Sequence, residues 1–214
     1  SFFMTISAIL ILSLLFFGTK KKSLIPSKIQ LITEMSYTFI AKMINDTAGS
    51  SARAFFPFVF TLFMFVLFCN MVGMLPYSFT VTSQIIVTFV LAATIFVGVT
   101  IIGFIKHGIK YLELFVPKGV PFVLLPLIIV IEIISYLSRP VSLSVRLFAN
   151  MLAGHTMLKV FGGFVISLGL LGGWLPLSFS VALTGLEILV AFLQAYVFAI
   201  LTCIYLNDAL NLHH

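Results

Sequence analysis

The chain has 214 residues, of which 61% are hydrophobic and 8% are charged, and its net charge is +6. Soluble domains carry about 25% charged residues, so this composition excludes a water-soluble protein and predicts an all-α polytopic membrane protein in a lipid bilayer. The excess positive charge sits in two predicted loops and does not indicate nucleic-acid binding. Cys69 and Cys203 lie in apolar segments and are interpreted as buried side chains. No metal site and no cofactor are predicted.

Five apolar segments follow along the chain, and a membrane span needs about 20 such residues. We predict these spans at residues 2–18, 54–75, 82–105, 121–161 and 175–206. The first span is followed by Lys20, Lys21 and Lys22, whereas a secretory signal has its basic residues before the apolar run. Together the spans form a single membrane domain.

Residues 20–53 connect the first two spans and contain apolar side chains at helical spacing. This pattern predicts an amphipathic helix on the membrane surface; the alternative is a loop helix packed on the protein. The apolar positions are Leu31, Ile32, Met35, Phe39 and Met43. Lys and Arg are concentrated in the first and third connections, which places those loops, and the carboxyl terminus, on the inside.

The last two segments are too long for perpendicular spans. As helices they would measure about 60 Å and about 48 Å, against a hydrocarbon core of about 30 Å. We predict a steeply tilted hairpin, kinked near Pro140, with a glycine-rich turn at residues 162–173.

Polar side chains recur along this hairpin. If its turn centres on Leu170 and Leu171, the residue numbers of facing partners add up to about 340. The polar pairs that meet this condition are Glu132 with Asp208, Arg146 with Gln194, and His155 with Glu187. Helical spacing also places Asn150 beside Arg146 but puts His155 on the opposite side, so either the helix is distorted there or His155 faces another cavity.

An ionisable side chain at bilayer depth costs about 2.5–3.5 kcal/mol on insertion scales, which makes each one a functional candidate. Carboxyl and imidazole groups exchange protons, whereas arginine stays protonated. The hairpin therefore predicts two titratable entrances, separated by a buried and permanently positive Arg146.

Structural roles remain as alternatives for the same side chains. Arg146 can be paired with a carboxylate, and Arg139 and Lys159 are expected to extend toward the interface. The carboxylates of Glu132 and Asp208 can pair with loop lysines, and His155 with Glu187 can be a plain hydrogen-bonded pair.

The stretch from Leu137 to His155, which reads LSRPVSLSVRLFANMLAGH, resembles subunit a of F-type ATP synthase. Residues 193–202, which read LQAYVFAILT, are similar to the same family. The likeness covers the chain from the first span onward. It implies that Arg146 is the arginine facing a rotor carboxylate and that Asn150 and Gln194 are its polar neighbours.

The same resemblance implies an outer half-channel at His155 and Glu187 and an inner half-channel at Glu132 and Asp208. It implies a stator subunit that passes protons to a rotating ring of c-type subunits, beside peripheral-stalk and other membrane subunits. The chain itself has no site for ATP chemistry. The order of His and Glu is similar to mitochondrial and alphaproteobacterial members, so we expect the mitochondrial inner membrane or, alternatively, an alphaproteobacterial plasma membrane.

Two other classes are weighed against this hypothesis. A secondary transporter or stand-alone channel would show internal repeats with interrupted helices, and the two halves of the chain show no repeat. A purely structural membrane subunit would leave unexplained why polar side chains face each other in pairs across the hairpin.

Overall fold

The computed structural model describes residues 2–20, 27–74, 81–108, 111 and 124–210. The long helices are α1 (Phe2–Lys20), α2 (Lys28–Ala48), α3 (Phe56–Gly73), α4 (Ile85–His107), α5 (Leu125–Gly172) and α6 (Trp174–Leu210). Short 3-10 helices at Ser50–Phe55 and Val81–Ser83 precede α3 and α4. The predicted loop charges at Lys21, Lys22, Lys110 and Lys118, and positions 121–123 of the fourth predicted span, lie outside the described residues.

Five of these helices have the length and apolar composition needed to cross a membrane: α1, α3 with its preceding turn, α4, α5 and α6. This confirms the predicted all-α membrane fold. Helices satisfy their own backbone hydrogen bonds, which allows such segments to lie in hydrocarbon.

The sixth helix, α2, begins at a cap and ends at a glycine. The Ser27 hydroxyl accepts a hydrogen bond from the Gln30 amide at 3.4 Å, and Gly49 follows the helix with φ of 69°. A positive φ is open to glycine without steric penalty, so the chain can turn there toward α3.

The packed face of α2 differs from the predicted apolar face. Its buried apolar residues are Ile40, Met43, Ile44 and Ala48, while Leu31, Ile32 and Met35 point outward, with Met35 63% exposed. The helix contacts α1, α3 and α6. It is therefore packed on the protein and also presents apolar side chains outward, so features of both predicted alternatives are present.

Helix α6 is the centre of the fold and contacts α2, α3, α4 and α5. Its buried face contains Ala191, Ala195, Ala199 and Cys203, all fully or almost fully covered. Small side chains allow neighbouring helices to approach closely inside a membrane protein. The Asn70 side chain of α3 adds a polar link, because its amide donates to the Ala191 carbonyl at 3.2 Å.

The hairpin of α5 and α6 is longer than predicted. Helix α5 continues past residue 161, through Gly162 and Gly163, to a break at Gly169, and the turn runs from Gly169 to Gly173 around the predicted centre. The non-helical dihedral angles inside α5 occur at Gly169, with φ of 61°, and not at the predicted kink site Pro140. The continuous part of α5, Leu125–Gly169, has 45 residues and measures about 68 Å, so it cannot stand upright in a bilayer.

Candidate functional site on the last two helices

Three charged residues follow one another along a single face of α5. Glu132, Arg139 and Arg146 are spaced by seven residues, which returns a helix to within about 20° of the same direction. Their solvent exposure differs: Glu132 and Arg139 are half-buried, whereas Arg146 is exposed.

Arg146 is exposed in this single chain, and its burial between two half-channels stays a prediction. Arg146 makes no hydrogen bond or ion pair with any residue that the structure describes. It therefore lies on a face of α5 that this polypeptide does not cover completely.

One turn beyond Arg146, Asn150 of α5 joins Gln194 of α6. The Asn150 amide donates to Gln194 Oε1 at 2.9 Å, and Gln194 is 3% exposed. The predicted partner of Gln194 was Arg146, so the hairpin is displaced by one turn at this level. The Gln194 amide nitrogen is buried without a hydrogen-bond partner in the described residues.

Nearer the turn, His155 and Glu187 come together as predicted. His155 Nδ1 lies 4.0 Å from Glu187 Oε1, and Glu187 is 7% exposed. This distance is too long for a direct hydrogen bond, and Glu187 Oε1 is buried without a hydrogen-bond partner among the described residues.

The backbone of α5 keeps helical dihedral angles at His155. His155 lies beside Glu187 of α6 without a local break in the helix. Gly154 makes room for the carboxylate beside it. A Cβ atom on Gly154 would contact Glu187 Oε1 and would lie 2.8 Å from Glu187 Cδ.

At the open end of the hairpin, the bonded partner of Asp208 is Arg139 and not Glu132, which was predicted to lie level with Asp208. Arg139 Nη1 donates to Asp208 Oδ2 at 3.1 Å, so the partner of Asp208 lies two turns further along α5. The ion pair also corrects the expectation that Arg139 extends toward the interface. Glu132 has no hydrogen bond or ion pair with the described residues.

The displaced pairings have a geometric cause. The predicted register assumed two straight parallel helices on either side of a turn at Leu170 and Leu171. The turn between Gly169 and Gly173 agrees with that centre, so the difference lies in the course of the two helices. The shift grows from the His155 level to the Asp208 level, as expected if the two helices cross at an angle.

Sequence reasoning missed three contributors to the site. Gly154 is the residue before His155, and no sequence signal distinguished it from the other glycines. Tyr136 and Tyr205 each precede a charged member of the Arg139–Asp208 pair by three residues, a spacing that places them on the same helix face. That spacing was the available signal.

These features define a polytopic membrane protein with ionisable groups inside its spans, a class in which such groups mark paths for ions or protons. Within the described residues, no group of three His, Cys, Asp or Glu side chains is arranged to hold a metal ion.

Comparison with known proteins supplies the family. The family model "ATP synthase A chain" matches residues 1–207. The chain is 78% identical over 214 residues to ATP synthase subunit a of Pelagibacter ubique, covering 100% of this chain and 88% of the relative. It is 61% identical to ATP synthase subunit a of Rhizobium rhizogenes, covering 99% and 87%, and 62% identical to that of a Chelativorans species, covering 94% and 83%.

The chain belongs to the ATP synthase subunit a family, as its sequence predicted. This membership supports a role in proton transport by the membrane part of an F-type ATP synthase. The relatives named above are bacterial. They favour the alphaproteobacterial plasma membrane and give no support to the mitochondrial inner membrane.

Proposed function

We propose that the chain is the stator proton-channel subunit of an alphaproteobacterial F-type ATP synthase in the plasma membrane. It offers two offset half-channels to a rotating ring of c-type subunits, and it couples proton flow to ATP synthesis. Other membrane subunits and the peripheral stalk hold it against that ring.

The observation that carries this proposal is Arg146, which is exposed and unpaired while its neighbours on both sides are bridged to α6. An arginine facing lipid costs about 2.5–3.5 kcal/mol on insertion scales, so its face calls for a partner that supplies negative charge. A carboxylate on each ring subunit meets this requirement. The fixed charge of Arg146 would stabilise the ionised carboxylate and repel a proton passing straight between the half-channels.

The outer half-channel is proposed at His155 and Glu187. A small rotation of either side chain would close their 4.0 Å separation to a hydrogen bond, and the buried Glu187 oxygen without a partner among the described residues is available to accept a proton. A proton passed on from here would neutralise the ring carboxylate. The neutral site can then turn through lipid, where a charged site would be penalised.

The inner half-channel is proposed at the open end of the hairpin, near Glu132 and Asp208. Glu132 makes no ion pair or hydrogen bond with the described residues, so it is the carboxylate available to receive a proton from the ring. A potential of about 100 mV supplies about 2.3 kcal/mol for each charge that crosses, which sets the direction.

The test is Arg146→Ala in the assembled complex in membrane vesicles. We expect coupled proton transport to be lost while the complex assembles in normal amounts, because the exposed arginine makes no hydrogen bond or ion pair with the described residues of this chain. The matched control is Lys159→Gln, which removes an exposed cation from the same helix and should keep transport. Loss of assembly in place of transport would favour the purely structural subunit.

A further inference from the structure

The open end of the hairpin contains a cluster that the proposed proton path does not explain. The Arg139–Asp208 ion pair, at 3.1 Å, is enclosed by two tyrosine rings. The guanidinium carbon of Arg139 lies 5.2 Å from the centre of the Tyr136 ring and 5.1 Å from that of Tyr205. Arginine over an aromatic face gains electrostatic attraction as well as packing, so this side chain is held on three sides.

The cluster also reaches the neighbouring helix α4. Tyr136 Oη lies 2.8 Å from the Thr100 hydroxyl and 2.9 Å from the Tyr111 hydroxyl. Tyr111 is 2% exposed and its ring packs against Gly103, where a Cβ atom would collide with it. The two hydroxyl contacts therefore fix Tyr136, and with it one wall of the arginine site.

The end of α6 is tied down next to this cluster. Lys106 Nζ donates to the Leu210 carbonyl at 2.9 Å, and the His107 ring lies 3.2 Å from the same oxygen. Basic groups at a helix carboxyl terminus complement its dipole. Asp208 is thus positioned by its own helix end as well as by Arg139.

The enclosed space inside the cluster is small. The cavity between Arg139, Asp208 and the tyrosines measures about 10 Å³, close to the minimum for a single water molecule, and solvent reaches the pair from outside, where 24% of the Arg139 side chain and 37% of the Asp208 side chain are exposed. A proton-conducting crevice needs a chain of waters or exchanging groups. Arg139 cannot serve as one, because it stays protonated.

The Arg139–Asp208 pair lies close enough to Arg146 to influence its position. Arg139 lies seven residues before Arg146 on the same face, about 10 Å away along the helix. The Asn150–Gln194 hydrogen bond lies one turn beyond Arg146. The exposed Arg146 is therefore bracketed by two bridges between α5 and α6.

We propose that the Arg139–Asp208 pair, enclosed by Tyr136 and Tyr205, is a positioning latch that holds the register of α5 against α6 and thereby places Arg146. Asp208 in this assignment carries no protons, which leaves Glu132 as the inner carboxylate. The inference rests on the proposed function, because it assigns different roles to Asp208 and Glu132 within the proposed inner half-channel.

The test compares single and double substitutions in the complete ATP synthase in membrane vesicles, with activity normalised to assembled complex. Asp208→Leu leaves the Arg139 charge without its partner, and Arg139→Met leaves the Asp208 charge without its partner. Misplacing a functional group by about 1 Å can cost up to about 100-fold in rate, so each single variant should lose about 10-fold to 100-fold of ATP-driven proton pumping.

The double variant Arg139→Met with Asp208→Leu decides the question. Apolar side chains of similar size can replace an ion pair between packed surfaces, so a latch should recover to within about threefold of the parent. The double variant has no ionisable group at either position. A proton carrier would stay inactive in it, and an assembled double variant that pumps no protons would overturn the latch.

The same variants also distinguish a failure of assembly from a failure of the proposed function. If the single variants fail to assemble, the double variant alone decides, by pumping or by failing to pump. The Arg146→Ala variant measured alongside keeps the two proposals apart: if it pumps normally, the proposed function fails whatever the latch variants do.

Discussion

Gly154 provides the sharpest test of how the hairpin positions its carboxylate. A methyl group at this position would lie 2.8 Å from Glu187 Cδ and 3.1 Å from Cγ, where ordinary contact begins at 3.4 Å. Gly154→Ala therefore forces the Cδ atom to withdraw by at least about 0.6 Å, as the difference between these contacts shows. Glu187 would leave its place opposite His155.

The magnitude follows from the cost of overpacking. Extra methyl groups in a packed site cost about 1–3 kcal/mol, and about 1.4 kcal/mol corresponds to a factor of ten in rate. If that penalty falls on the placement of Glu187, proton pumping should drop by about 5-fold to 150-fold. ATP-driven acidification of inverted vesicles, normalised to assembled complex, measures the change.

The matched control is Gly162→Ala on the same helix. No atom lies within 4 Å of a Cβ at Gly162, and alanine inside a helix is favoured over glycine by about 0.5–1 kcal/mol. Pumping should therefore be unchanged. Adding Glu187→Asp to Gly154→Ala shortens the side chain and should restore part of the loss. Equal pumping by the Gly154→Ala and Gly162→Ala variants would refute the reasoning.

Two further predictions concern buried polar contacts between helices. Asn70→Leu removes the hydrogen bond from α3 to the Ala191 carbonyl and should lower the unfolding free energy by about 1 kcal/mol. The complex should then lose activity at a lower temperature. Unchanged heat resistance would show that this hydrogen bond contributes nothing to stability. The hydroxyls of Thr88 and Ser144 lie 3.1 Å apart and are buried, so Thr88→Val and Ser144→Ala should destabilise less together than the sum of the single effects. Strictly additive thermal shifts would contradict this coupling.

The sequence predicted the helices well because their signals are local. Apolar length identified the five spans, and the helical spacing of apolar residues identified the region of α2. The end of α5 was misplaced because Gly162 and Gly163 were read as part of the turn, whereas they continue the helix. Glycines inside a membrane helix are tolerated because packing and lipid surroundings support the helix.

The candidate site was predicted only in part, and the error grows with distance from the turn. His155 and Glu187 lie near the turn and meet as expected. Asp208 lies far from it, and there the crossing angle and the reach of a long arginine side chain decide the partner. Neither quantity can be obtained from residue spacing, which describes ideal straight helices.

Residue spacing alone did not predict the exposure of Arg146, although the family resemblance implied that it faces a rotor carboxylate. The sequence identifies an arginine inside an apolar helix, and in isolation such a residue is expected to find a partner within its own bundle. Its partner is instead proposed to belong to another subunit. The face of α5 around Arg146 is consequently interpreted as an interface.

The central claim is that this face of α5 meets a rotating ring, and cysteine cross-linking tests it most directly. Ala153 is exposed and lies within about 20° of the direction of Arg146. With Cys69 and Cys203 replaced by alanine, Ala153→Cys should form a disulfide with a cysteine placed next to the ring carboxylate. That disulfide should stop ATP-driven pumping until it is reduced.

Leu137→Cys is the matched control, because Leu137 is 55% exposed and lies on the opposite side of the helix from Arg146. It should form no disulfide with the ring and should leave pumping unchanged. A ring disulfide from Leu137→Cys but not from Ala153→Cys, or a ring disulfide at Ala153→Cys that leaves pumping intact, would contradict the account.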